Sequence, residues 1–202
     1  GQRETGGELG DFCVKCHAPM ALKLGLTTDG LNLESVPQHL QGITCYYCHS
    51  VDTVEGTHNN PLVLADDLVM RGSYRDPVKN KVHRSGYSPY LDRNDIRSAS
   101  LCGACHDLVT PLGLHVERTF AEWKTSLYGN EDGGKVQTCG QCHTKGRDDV
   151  AAQAPGVVLR RVHNHQMVGV DVALKPFPQM AEQKARIVRE LSFSVAALLC
   201  VY

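Results

Sequence analysis

The most regular hydrophobic pattern lies near the end of the chain. Met180, Ile187, Val188, Leu191, Val195 and Leu198, with Lys184 in register, follow a 3.6-residue stripe and predict a helix over 179–202. Its last ten residues are apolar almost all round, which suits a buried end or a subunit contact. Phe120, Trp123, Leu127 and Tyr128 fall at helical spacing behind Thr119-Phe120-Ala121-Glu122, a capping-box pattern, and Gly129 is a stop, so 120–128 reads as a second helix. Ser100 to about Val109 predicts a turn or two of helix. Val168, Val170, Val172 and Leu174 alternate, so Val162–Leu174 reads as extended, one strand of a minor β element. Tyr74–Leu91 carries Pro77, Gly86 and Pro89 and reads as irregular, and Asn130–Gly134 as a loop. The expected fold is mostly irregular, with short α-helices and minor β structure at most.

Between these weak patterns stands a strong one. Cys-x-x-Cys-His occurs four times, at Cys13, Cys16 and His17, at Cys45, Cys48 and His49, at Cys102, Cys105 and His106, and at Cys139, Cys142 and His143. These are motifs 1 to 4. A lone Cys-x-x-Cys also serves zinc ribbons and thiol redox sites. Here a histidine follows every one. Histidine is 10 of 202 residues, so four such coincidences have a chance on the order of one in a hundred thousand. The pattern is the c-type haem attachment signature: two thiols bond the haem vinyls and the adjacent histidine reaches the iron. Four covalent haems c are expected.

That expectation changes how the composition reads. Four haems in 202 residues leave about 50 residues each, so the haems must form most of the core of a single domain, with 11–172 as the haem-binding part. The hydrophobic share is 42%, below the usual ~45–50%, and Gly 19 and Pro 9 suit a loop-rich chain. The formal net charge of -1 gives no support to nucleic-acid binding. No stretch reaches the ~18–20 apolar residues of a membrane span. Haem is joined to this motif outside the cytoplasm, so an extracellular or periplasmic protein with its export signal removed is expected. Cys200 is left over, as a buried small side chain or an intermolecular disulfide.

Six further histidines remain, and bis-histidine ligation of four irons needs four. His39, His58, His83, His163 and His165 are the distal candidates; His115, after a Pro-Leu-Gly turn, ranks below them. His39 and His58 lie close in sequence to motif 2 and are awkwardly placed to wrap its ring, so each is expected to serve a neighbouring haem or a neighbouring chain. His163 and His165 on an extended segment would share one face roughly 7 Å apart. Met20, Met70, Met167 and Met180 are the alternative ligands, with Met20 too near His17 to cross a ring. Arg71, Arg75, Lys79, Lys81 and Arg84 suit haem propionates or a solvated face. Asp66-Asp67 and Glu131-Asp132 lack calcium-loop spacing. No nucleophile–base pair or phosphate loop is present, so an electron carrier is expected rather than an enzyme.

Several strings together resemble a known group: Gln41-Gly42-Ile43-Thr44 before motif 2, Thr57-His58-Asn59-Asn60-Pro61, His83-Arg84-Ser85, motif 3 with Asp107, Glu117–Lys124 and His163-Asn164-His165. They resemble the multihaem cytochromes grouped with the tetrahaem electron acceptor of hydroxylamine oxidoreductase, over roughly 11–172. Within that group the chain is most similar to the extracellular tetrahaem cytochromes of the OmcE type. The resemblance implies bis-histidine haems in alternating parallel and T-shaped pairs. It also implies head-to-tail polymerisation into a filament, with redox proteins or extracellular acceptors as partners and one distal histidine able to come from the next copy. A monomeric periplasmic shuttle and the N-terminal part of a larger multihaem redox enzyme are the alternatives; the apolar end at 191–202 fits a subunit contact or such a continuation.

Overall fold

Helix first appears where motif 1 stands. The structure, a computed structural model, describes residues 2–78, 82, 84–133, 135–173 and 175–199, with the backbone alone for Gly133 and 193–199. In chain order, α1 (Val14–His17) and α2 (Pro19–Lys23) are followed by two 3-10 turns, Leu33–Ser35 and Gln38–Leu40, and by α3 (Cys45–His49). Next come β1 (Val51–Val54), β2 (Leu62–Leu64), β3 (Val69–Gly72), β4 (Arg84–Tyr87), α4 (Ser98–Gly103), β5 (Leu108–Val109), β6 (His115–Glu117) and α5 (Thr119–Thr125). After the 3-10 turn Glu131–Gly133 come α6 (Cys139–His143), β7 (Gly146–Val150), β8 (Leu159–His163) and α7 (Met180–Leu199).

Among the described residues the strands form four separate two-stranded ribbons. β1–β2, β5–β6 and β7–β8 are antiparallel, and β3–β4 is parallel with Val69 opposite Arg84. Two-stranded ribbons are marginal alone and need packing partners. The apolar interior is correspondingly small. Val14, Ala18, Ala21 and Val36 form one buried cluster, covered by Leu22, Leu33 and Leu40. The accessible surface is 13835 Å², whereas a compact chain of 22.1 kDa exposes about 9,300 Å². The chain therefore buries less surface than a compact chain of its mass.

Several sequence expectations are corrected. The segment 168–173 is in no strand; the strand is Leu159–His163, where β7 supplies a partner ladder. Gly146 permits that ladder to close, because a Cβ there would strike the Val162 carbonyl. Tyr74–Leu91 contains β4. The helix expected from Ser100 begins at Ser98 and ends at Gly103. In α5, Thr119 does not cap: Arg118 is the N-cap, and Thr119 Oγ1 donates to Glu117 instead. The cap comes from elsewhere in the chain, as Asp107 Oδ2 accepts from the Ala121 amide at 3.0 Å. α5 stops at Thr125, leaving Leu127 and Tyr128 exposed. His83, Lys79, Lys81, Leu174, Cys200 and the chain end at 200–202 lie outside the described residues.

α7 carries the stripe read from the sequence. Ile187 is buried, and Val188 and Leu191 stay exposed. Lys145 pairs with Glu190 at 3.0 Å and Gln166 donates to Glu182, so polar bridges hold the helix against the motif 4 region. No described helix is long and apolar enough to cross a membrane.

Candidate haem-attachment sites

All four motifs adopt one helical turn. The amide of His17 donates to the Cys13 carbonyl at 3.1 Å and that of His106 to Cys102 at 3.0 Å, while motifs 2 and 4 are the helices α3 and α6 themselves. On a helix, residues three and four apart share a face. Each turn therefore presents both thiols and the following imidazole on one side, leaving the two intervening residues to anchor the motif.

Each motif uses those two positions differently. Val14 of motif 1 is 2% exposed and sits in the apolar cluster. Tyr47 of motif 2 is buried, and its hydroxyl donates to Asn60, whose own amide reaches the Lys15 carbonyl. Burial raises the Tyr47 phenol to about 12, so it remains a neutral donor. Gly103 and Ala104 of motif 3 are buried, and a Cβ at Gly103 would fall inside the Phe120 ring that covers it. Trp123 stacks on Phe120 at 5.6 Å. Gln141 of motif 4 completes a capping box with Thr138. Thr138 Oγ1 also donates to the Arg93 carbonyl at 2.6 Å, and the Arg93 guanidinium donates to the Thr144 and Gln141 carbonyls.

The motifs converge on motif 3. Cys16 lies within hydrogen-bonding reach of Cys105, and Cys102 within reach of Cys139. These thiol–thiol hydrogen bonds hold the Cys16 and Cys139 thiols below the ordinary range and, together with burial, push Cys105 and Cys102 above it. Burial raises Cys48, which lies near enough to both motif 3 thiols to act on them. The eight motif cysteines are all free thiols.

Cys142 differs from the thiols that meet motif 3. It is exposed, and its thiol donates to Gln137 Oε1 at 3.8 Å instead of meeting another cysteine. The cause is local: α6 buries none of its residues, so its second thiol is left accessible, while Cys139, on the same face one turn earlier, is partly covered and reaches Cys102. Cys45 of motif 2 is exposed as well. Motifs 2 and 4 therefore each carry one thiol at the surface, and a ring attached at Cys142 would have an edge open to solvent.

The histidines carry the most informative geometry. His49 Nδ1 donates to the Arg71 carbonyl, His143 Nδ1 to the Val168 carbonyl at 3.0 Å, and His106 Nδ1 bonds Glu117 at 3.1 Å. A carbonyl only accepts, so Nδ1 carries the proton in the first two, and Nε2 keeps its lone pair. Metal-ligating histidines are oriented in this way. His17 has no such partner among the described hydrogen bonds. The thiol pair and following imidazole of each motif, with these Nδ1 bonds at motifs 2, 3 and 4, are a donor set that fits a c-type haem. Among the described residues, no three His, Cys, Asp or Glu side chains gather to hold an ion by themselves; a haem iron asks the protein only for its axial ligands.

The distal candidates divide. His39 lies exposed in the 3-10 turn Gln38–Leu40, and His58 is exposed beside Thr57. His115 is exposed on β6. His163 and His165 do not share surroundings as an extended segment would require. His163 ends β8 and lines a cleft of about 400 Å³ with Tyr74, Arg75, Arg93 and Arg161. Desolvation, then Arg93, lowers its pKa and keeps it neutral. His165 instead lies beside His49, ring centroids 6.1 Å apart at 29°. Met20 is buried in α2. Of the basic stretch, Arg71 pairs with Asp67 at 3.0 Å, and Arg75 lines the cleft, where Asp76 and Asp92 also lie. Sequence reading missed the anchors Arg93 and Asn60 and the carbonyls of Arg71 and Val168. Glu117, close in sequence to motif 3, was open to discovery as a carboxylate partner; a backbone carbonyl leaves no signal in side-chain identity.

No family model, curated protein or solved structure matches this chain.

Proposed function

We propose that this chain is a tetrahaem c-type cytochrome that carries electrons without turning over a substrate. The reading rests on four Cys-x-x-Cys-His turns, each presenting two thiols and an imidazole on one face, with Nδ1 engaged in three of the four. Haem bound there supplies one-electron exchange at iron. The residues of the chain do the rest. The thiols of Cys13, Cys16, Cys45, Cys48, Cys102, Cys105, Cys139 and Cys142 hold the rings covalently, and His17, His49, His106 and His143 bind the irons. His39, His58, His83, His163 and His165 are the pool from which the second axial ligands come. Arg75, Arg93 and Arg161 offset propionate charge. Convergence of the thiols around motif 3 favours short steps between neighbouring groups.

The reading extends to an exported protein that assembles head to tail into an extracellular filament. It draws on the resemblance to the OmcE-type cytochromes and on the exposed Val188 and Leu191 of α7, apolar surface that a neighbouring copy would cover. Intact mass tests the first part: the polypeptide of 22.1 kDa gains four haems of roughly 0.6 kDa each. Zinc with no haem overturns it. Electron microscopy and light scattering test the second: filaments support it, and a compact monomer with four haems makes the protein a soluble shuttle.

A further inference from the structure

His49 and His165 come together from distant parts of the chain. Their ring centroids are 6.1 Å apart and their planes differ by 29°. Each ring is held by a backbone carbonyl: His49 Nδ1 donates to Arg71, and His165 Nδ1 donates to His163 at 3.1 Å. Both protons are therefore on Nδ1, and both Nε2 atoms keep a lone pair. Two imidazoles bound on opposite sides of one metal, with bonds of about 2 Å and roughly 1.1 Å more from nitrogen to ring centre, have centroids about 6 Å apart. The observed separation matches that value. Ring pairs in direct contact also have centroids about 4.5–7 Å apart, so the separation alone does not choose; the Nδ1 bonds, which leave both Nε2 atoms free, favour the shared iron.

The chain near His165 is shaped for this approach. Asn164 donates its amide to the Lys145 carbonyl, just after motif 4. Met167 takes a left-handed φ of 41°, a turn that residues bearing a Cβ rarely make. Beyond it the Val168 carbonyl meets His143. One short strap, 163–168, thus sets His165 beside motif 2 and an acceptor behind the motif 4 histidine, while His163 faces the arginine-lined cleft.

We propose that His165 is the second axial ligand of the iron held by motif 2, opposite His49. The assignment rests on the tetrahaem reading and separates the two strap histidines: His165 closes the motif 2 site and His163 serves another.

The test uses the haem-loaded protein. In the wild type, mass and electron paramagnetic resonance are expected to show four low-spin haems. His165→Ala is expected to turn one of them high-spin, and added imidazole to restore it. His165→Met is expected to give one haem a near-infrared methionine–iron band. In a Cys45→Ser/Cys48→Ser background, which lacks the motif 2 haem, His165→Ala is expected to create no new high-spin signal. If His165→Ala leaves all four haems low-spin, or its high-spin signal persists in that background, the pairing is overturned while the tetrahaem reading stands. A wild type without haem overturns the tetrahaem reading itself. If the background variant does not accumulate, density for the wild-type holoprotein decides. His165 bonded to the iron attached at Cys45 and Cys48 supports the pairing, and any other ligand there overturns it.

Discussion

Motifs 1 and 4 share a five-residue signature and a helical turn, yet they are held in opposite ways. Motif 1 has no side-chain cap; its N-cap is Cys13 itself. Its position comes from Val14, driven into a cluster with Ala18, Ala21 and Val36. Motif 4 has no buried residue within α6. Its position comes from hydrogen bonds: the reciprocal Thr138–Gln141 box, Thr138 to the Arg93 carbonyl, and the Arg93 guanidinium on the last turn. The second thiol follows the anchor. Cys16 is buried beside the apolar plug, whereas Cys142 is left at the surface against Gln137. The comparison shows that the two turns have only Cys, Cys and His in common. The two intervening residues are free to specify the anchor, apolar in one place and polar in the other.

The largest break in this comparison is expected from Val14→Asp. A carboxylate at a site 2% exposed has no cation in the apolar cluster, and such burial costs about 3–5 kcal/mol. Thermal unfolding of the holoprotein by circular dichroism should show the loss, with haem depleted at motif 1 in peptide mass mapping. Lys15→Asp, at the half-buried neighbouring position, is expected to do far less.

Thr138→Val is the matching break at motif 4. It keeps the volume of a buried side chain but removes one accepted and one donated hydrogen bond, a cost of about 2 kcal/mol. Denaturant midpoints measure it. A double cycle with Arg93→Ala is expected to be non-additive, since Thr138 and Arg93 belong to one network. The same cycle with Val14→Ala is expected to be additive.

Gln141→Ala sharpens the contrast at smaller cost. It removes the half of the box that accepts from the Thr138 amide, about 1 kcal/mol. At the equivalent position of motif 1, Lys15, truncation removes the ion pair with Asp11 at 3.5 Å and the approach of the ammonium to the Phe12 ring, together worth roughly 0.5 kcal/mol at this partly exposed edge. Equal effects at Gln141 and Lys15 would dissolve the distinction.

The smallest effect concerns acid. Arg71 lies over Asp67 and holds its carboxyl below the ordinary value of 3.8. A carboxyl with a depressed folded pKa adds stability that is complete above its unfolded value and lost as pH falls through the folded one. The wild type should therefore lose its stability advantage over Asp67→Asn only below about pH 4. Unfolding midpoints of the two proteins at descending pH check this; a constant difference across the range would refute it.

The sequence by itself determined the four Cys-x-x-Cys-His turns. Cysteines three apart with histidine next are a local pattern, and an α-helical turn translates that spacing into one face without help from the rest of the chain. The stripe of α7 was legible for the same reason, as was the spare-histidine pool. Local signals misled where a distant group won: Thr119 was passed over because Asp107 caps α5 from outside, and the strand settled at Leu159–His163 because β7 lies there to pair with it. Only the tertiary structure decided that Val14 is a plug and Gln141 a cap, that thiols of motifs 1 and 4 meet motif 3 while Cys142 stays outside, and that His165 rather than His58 stands beside His49. Those outcomes depend on where the intervening chain returns in space, and backbone carbonyls such as those of Arg71 and Val168, identical in every residue, become specific only through position.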